Sequence, residues 1–214
     1  CTKLETITIP DSVTTLGKCV FDGCSALETI TIPDSVAIVG KECFAGCDGL
    51  REVTLSNRLT TLDYKMFELC TKLETITIPD SVTTLGKSVF EGCSALRAIT
   101  FSTLLSMLSV VEENAFEGCV SLVTVEFPSS FTKMKDYPIF TGCDNLVMVA
   151  LHAANPQFPK SNEGYPLLWC TNLKVRDGLD GEVLRAKLSS LIFRIALPNM
   201  DTAARKELIK SLPK

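Results

Sequence analysis

The stretch CTKLETITIPDSVTTLGK (Cys1–Lys18) recurs letter for letter at Cys70–Lys87, and its reading decides the fold. Within it, Ile7 and Ile9 alternate with Thr6 and Thr8, the period of two that marks a half-buried strand. Pro10 should end that strand, because proline has no N–H to give to a ladder. Val13 and Leu16 supply a second apolar step, and Gly17 follows where a permissive turn is expected.

Working outward, the Cys-x-x-Leu pair that opens the stretch organises most of the chain. Its anchors are Cys1, Cys24, Cys47, Cys70, Cys93, Cys119, Cys143 and Cys170, first 23 residues apart and then 26, 24 and 27. Self-similarity at such a period is the mark of a solenoid, in which each coil buries its apolar side against its neighbours. Phe21, Phe44, Phe67, Phe90, Phe116 and Phe140 all stand three residues before the next anchor, so they are expected to stack as an aromatic spine. Gly23, Gly46, Gly92, Gly118 and Gly142 then turn the chain into the next coil.

The full pattern LETITIPDSVTTLGKCVFDGCSAL (Leu4–Leu27) resembles the BspA-like class of leucine-rich repeats, and the resemblance covers roughly residues 1–173. It implies an α/β leucine-rich repeat solenoid of about eight right-handed, curved coils. A parallel sheet would line the concave face, and short strand or 3₁₀ pieces the convex side. It also implies adhesion or protein recognition, a cell-surface location, and no shared catalytic residues.

Departures from the repeat increase toward the C-terminus. The coil from Cys47 replaces proline with Ser56 and two glycines with Asp63 and Leu69, and the stretch LHAANPQFPKSNEGYPLLWC (Leu151–Cys170) carries three prolines and the single Trp. Beyond residue 173 the spacing of Leu184, Leu188, Leu191, Ile192 and Ile195 predicts an amphipathic helix, stopped by Pro198. Asp201 is placed to cap a second helix carrying Ala204, Leu208 and Leu212. Residues 174–214 therefore read as a helical cap or tail over the last coil, with a partner-docking helix pair as the alternative.

Composition narrows the function. The chain is 46% hydrophobic and 21% charged with a net charge of −4, and no run of apolar residues is long enough to span a membrane. No Lys/Arg cluster is interleaved with aromatics, which argues against a nucleic-acid partner. Most of the ten cysteines share one register position, where they read as a buried ladder of small apolar side chains. Side chains pointing the same way make poor disulfide geometry. The spacings Cys19–Cys24 and Cys43–Cys47, with a single histidine, do not form a metal set. A thiol-rich core suits a reducing compartment while the resemblance implies the cell surface, so the compartment stays open.

His152 would have to serve any Cys–His or Ser–His catalysis, and it sits at a loop edge beside Asn155 and Gln157. Carboxylates such as Glu5, Glu28 and Glu74 form rows and not a convergent pair, and no glycine loop is shaped for phosphate. Catalytic, cofactor and metal sites are therefore not expected. The residues flanking the inward Ile positions form a lawn of threonines that becomes acidic and then apolar toward the C-terminal end. Glu126, Met148, His152, Phe158, Tyr165 and Trp169 combine aromatic anchors with an irregular loop, and are the expected contacts of a protein or surface-glycan partner. The contrasting expectation is a purely architectural segment of a longer surface array or an intracellular scaffold. Cys1 falls on an anchor, so the first coil's flank is uncovered unless further repeats precede it.

Overall fold

A computed structural model describes residues 1–151, apart from 103–105, 129, 132, 135–138 and 147. Over these residues the chain is a β-solenoid of stacked parallel strands. The expected helices of residues 174–214, and the anchor Cys170, lie outside the described residues.

Each coil from Cys24 to Cys119 contributes two strands, and the first and the seventh one each among the described residues. The first ladder has three- and four-residue strands: β2 (Thr29–Thr31), β4 (Glu52–Thr54), β6 (Thr75–Ile78), β8 (Ala98–Phe101), β10 (Thr124–Phe127) and β12 (Met148–Leu151). The second has two-residue strands: β1 (Thr15–Leu16), β3 (Ile38–Val39), β5 (Thr61–Leu62), β7 (Thr84–Leu85), β9 (Val110–Val111) and β11 (Lys133–Met134). All the pairings are parallel and join equivalent repeat positions, as in Ile30 with Val53 and Leu62 with Leu85. In-register stacking follows from a period-two pattern, since a slip of one residue would send every buried Ile to solvent.

Several expectations need correction. The described residues contain strands and turns but neither α- nor 3₁₀-helix, so this part of the chain is all-β, and the helices on which the α/β expectation rests lie outside it. The threonine–isoleucine stretch of the first coil is not a strand, and Ile7 is 38% exposed. Each ladder is also interrupted at the third coil: β2–β4 is separate from β6–β8–β10–β12, and β1–β3 from β5–β7–β9–β11. That coil is the one in which Ser56, Asp63 and Leu69 replace the repeat's proline and glycines.

The third side of each coil is a run of turns, yet it is laddered too. The Phe21 N–H donates to the Cys43 carbonyl at 2.9 Å, Phe44 to Met66 at 3.0 Å and Phe67 to Val89 at 2.9 Å. The Gly23 and Gly46 N–H groups reach Ala45 and Glu68 at 2.7 and 2.8 Å. This ladder requires left-handed backbone twice per coil. One site is the expected glycine position, where Gly23 has φ 64° and the substituted Leu69 φ 57°. The other holds Cys19, Glu42, Lys65, Ser88 and Asn114, all between 53° and 57°, and glycine never fills it.

Gly17, Gly40 and Gly86, expected at a permissive turn, do not have positive φ. The later two are glycine because neighbouring coils meet there. A Cβ on Gly40 would lie 2.5 Å from the Lys18 nitrogen, and one on Gly86 2.8 Å from the Leu62 carbonyl oxygen.

The core is a set of columns running along the coil stack. The six spine phenylalanines stack ring on ring, with centroids 5.3–5.7 Å apart and planes within 12°. Beside them runs the cysteine column, buried from Cys24 to Cys143, with Cys1 exposed at its end. Its thiols have a specific task. Cys47, Cys70, Cys93, Cys119 and Cys143 donate to the carbonyls of Phe21, Phe44, Phe67, Phe90 and Phe116 in the preceding coil at 3.0–3.2 Å. Each of those carbonyls also accepts the N–H of its own coil's cysteine, so both lone pairs are used in a buried setting.

Candidate recognition surface

The outward face of the long-strand ladder is set by the same alternation that builds the core. In β2, β4 and β6 the central or second residue is buried and its neighbours are exposed. The face therefore presents Thr29 and Thr31, Glu52 and Thr54, Thr75 and Thr77, then Ala98 and Thr100. The hydroxyls of Thr77 and Thr100 lie 2.9 Å apart, bridging two coils on the surface. Threonine is not peculiar to this face: Thr15, Thr61 and exposed Ile38 line the short-strand ladder as well.

Toward the C-terminal end the row changes. Thr124 pairs in register with Ala98 on one side and Met148 on the other, and exposed Glu126 pairs with Ala150. Two of the six expected contact residues, Glu126 and Met148, thus sit on adjacent strands. His152, Phe158, Tyr165 and Trp169 lie outside the described residues. At the adjoining edge, Val120 and Val123 are 40% and 41% exposed.

Near the other end a shallow depression is lined by Glu5, Thr6, Ser25, Glu28, Thr29 and Lys72, with Ala26 and Gly49 between them. Gly49 has no room for a side chain, since a Cβ there would lie 2.3 Å from the Ser25 carbonyl oxygen. Sequence reasoning noted the glutamate row but not this depression, whose signal was the pair of small residues between Lys3 and Lys72.

The buried thiols are chemically quiet. Burial pushes Cys43, Cys47 and Cys93 up to about 12 and Cys70 and Cys119 well above the ordinary thiol value. Since the thiolate is the nucleophile, these groups are poor candidates for covalent chemistry. Cys19, partly exposed, is raised by desolvation and by its hydrogen bond to the Glu42 carboxylate. Among the described residues there is no group of three or more His, Cys, Asp or Glu placed to hold a metal, and no helix long and apolar enough to cross a membrane.

Comparison with known proteins places this architecture. The model of the BspA type leucine rich repeat region, in six copies, matches residues 1–107 and 97–174. No curated protein matches the chain. Among solved structures, a leucine-rich repeat protein of T. pallidum is 26% identical with a TM-score of 0.59, covering 65% of this chain and 65% of its own. A leucine-rich cell surface protein of Faecalibacterium prausnitzii is 25% identical with a TM-score of 0.51, covering 80% and 53%. A leucine-rich repeat protein of Eubacterium ventriosum is 26% identical with a TM-score of 0.61, covering 75% and 41%. The chain thus spans less than two thirds of each of these proteins. With its repeat matched over most of its length and its coils stacked as that repeat requires, the chain belongs to the BspA type leucine-rich repeat family.

Proposed function

We propose that the chain is a non-enzymatic recognition module that binds a protein partner through the long-strand face and the irregular segment that follows it. The observation that carries this reading is the change along that face. A row in which every strand from β2 to β8 carries at least one outward threonine, and β2 and β6 carry two, gives way at β10 and β12 to Glu126 and Met148, near exposed Val120 and Val123. Recognition concentrates where a rigid scaffold ends in irregular chain, and aromatic and methionine side chains supply most of the energy of such contacts. Phe158, Tyr165 and Trp169 stand in the sequence immediately after, with His152. The raised thiols speak against a cysteine nucleophile. A relative named as a cell surface protein supports adhesion at a cell surface as the setting.

A second reading, an architectural segment with no discrete site, is favoured by the letter-for-letter recurrence of Cys1–Lys18 at Cys70–Lys87, which carries scaffold residues only. One capture experiment separates the two. The intact chain should retain a protein that the Met148→Ala/Phe158→Ala/Trp169→Ala variant loses, with circular dichroism unchanged. Equal capture by both, capture by neither, or unfolding of the variant removes the recognition reading.

A further inference from the structure

A row of charged residues stands just before the strands of the long-strand ladder. Glu5, Glu28, Arg51, Glu74 and Arg97 occupy the same repeat position in five successive coils, and the last four alternate in sign. Their backbones are tied in pairs: the Arg51 N–H donates to the Glu28 carbonyl at 2.8 Å and the Arg97 N–H to the Glu74 carbonyl at 2.9 Å, while the ladder is interrupted between the coils of Arg51 and Glu74. All four side chains are exposed. Residues of alternating charge therefore follow one another from coil to coil, with about 4.8 Å between the backbones of hydrogen-bonded coils. Yet the ion pairs among the described residues are Lys18–Glu42, Lys65–Glu68 and Lys87–Glu113, and none of the four takes part.

The alternating stretch from Glu28 to Arg97, taken without Glu5, is its own complement when reversed. We propose that the second to fifth coils form a self-complementary docking face on which a second copy of this chain sits with its coil order inverted, closing a two-fold dimer. Inversion sets Glu28 against Arg97 of the second copy and Arg51 against Glu74, and the symmetry repeats both contacts. The same operation lays Lys72 of the second copy opposite Gly49, at the depression lined by Glu5, Ser25 and Glu28. Ala26, Gly49 and Ala95 leave room beside the charged row for the approach. Charge complementarity of this kind fixes register and orientation more than it adds affinity, so the dimer is weak, specific and salt-sensitive. The contact uses coils two to five and does not include Glu126 or Met148, which stand on the sixth and seventh.

Sedimentation velocity of the full chain tests this. A reversible dimer is expected at about 50 mM salt, with its dissociation constant rising about tenfold by about 500 mM as the contacts are screened. Arg51→Glu with Arg97→Glu makes the row wholly acidic and should give a monomer at low salt. Arg51→Glu with Glu74→Arg exchanges signs across the two-fold, preserves complementarity and should dimerise as the parent does. Circular dichroism verifies that both variants fold. A parent chain that is monomeric at low salt, a dimer indifferent to salt, or an acidic-row variant that still dimerises would overturn the proposal, as would failure of the sign-exchanged variant to associate.

Discussion

Phe67 lies in the middle of the phenylalanine spine, fully buried between Phe44 at 5.4 Å and Phe90 at 5.7 Å, with ring planes tilted by 5° and 6°. Phe67→Ala removes a complete ring from a site whose walls are other coils' backbones, so it cannot easily collapse, and the expected cost is about 3–5 kcal/mol. Part of that is stacking: two ring pairs, each worth about 0.5–1.5 kcal/mol beyond area burial. Phe21 provides the internal control, because it is 5% exposed and stacks on Phe44 alone. Phe21→Ala should therefore cost less than Phe67→Ala by about one ring pair, roughly 0.5–1.5 kcal/mol. Phe67→Leu, which keeps much of the apolar volume, should isolate the stacking loss at about 1–3 kcal/mol. Equilibrium urea unfolding followed by circular dichroism measures all three. A solenoid is quasi-one-dimensional, so a broadened transition with a lowered m-value is itself informative, since it signals that the coils on either side of the gap have uncoupled. Equal losses for Phe67→Ala and Phe21→Ala, or a Phe67→Ala loss below about 1.5 kcal/mol, would refute the continuous spine.

The remaining predictions follow from the coil contacts and the thiols. Gly40→Ala should destabilise by about 1–3 kcal/mol because its Cβ meets the Lys18 backbone at 2.5 Å, whereas Gly17→Ala at the same repeat position, with only a Val20 methyl at 3.6 Å, should be neutral or slightly stabilising; thermal melts of the pair decide this. Mass-spectrometric alkylation of the native chain at neutral pH should label Cys1 and Cys19 well before Cys47, Cys70, Cys93 or Cys119; rapid labelling of Cys93 would contradict the buried column. Alkaline stability should fall, since burial keeps the protons of Cys43, Cys47 and Cys93 in the fold up to about 12, while the unfolded chain releases them near the ordinary thiol value of 9.0. The unfolded state binds fewer protons in that window, so each such thiol removes up to about 1.4 kcal/mol per pH unit between them, seen as a steepening drop in urea midpoint above about pH 9.

Much of this architecture was legible in the letters because a solenoid's core contacts repeat at a fixed offset. The spine phenylalanines, the cysteine column and the exposed threonines could be read from register alone, as each side chain meets its own equivalents one coil away. What the letters concealed was backbone geometry. The left-handed site filled by Cys19, Glu42, Lys65, Ser88 and Asn114 has no residue signature, because the turn-side ladder imposes the conformation whatever side chain is present. For the same reason Gly40 read as a turn glycine, though its requirement is contact with a neighbouring coil. The interruption at the third coil coincides with visible substitutions, but nothing in their identity announced that both ladders would break there. Of the candidate contacts, the repeat pattern located Glu126 and Met148 on the long-strand ladder. His152, Phe158, Tyr165 and Trp169 follow the last strand of the described stack, where the pattern that guided the reading ends.

On the proposed function the regular coils are scaffold and binding is concentrated where the repeat departs from its pattern. Hydrogen exchange of the full chain with and without its captured partner tests this most directly. The account predicts slowed exchange over Thr124–Leu151 and residues 152–169, with the turn side around Phe21, Phe44 and Phe67 unchanged. Protection confined to the turn side, or spread evenly over all the coils, would contradict it.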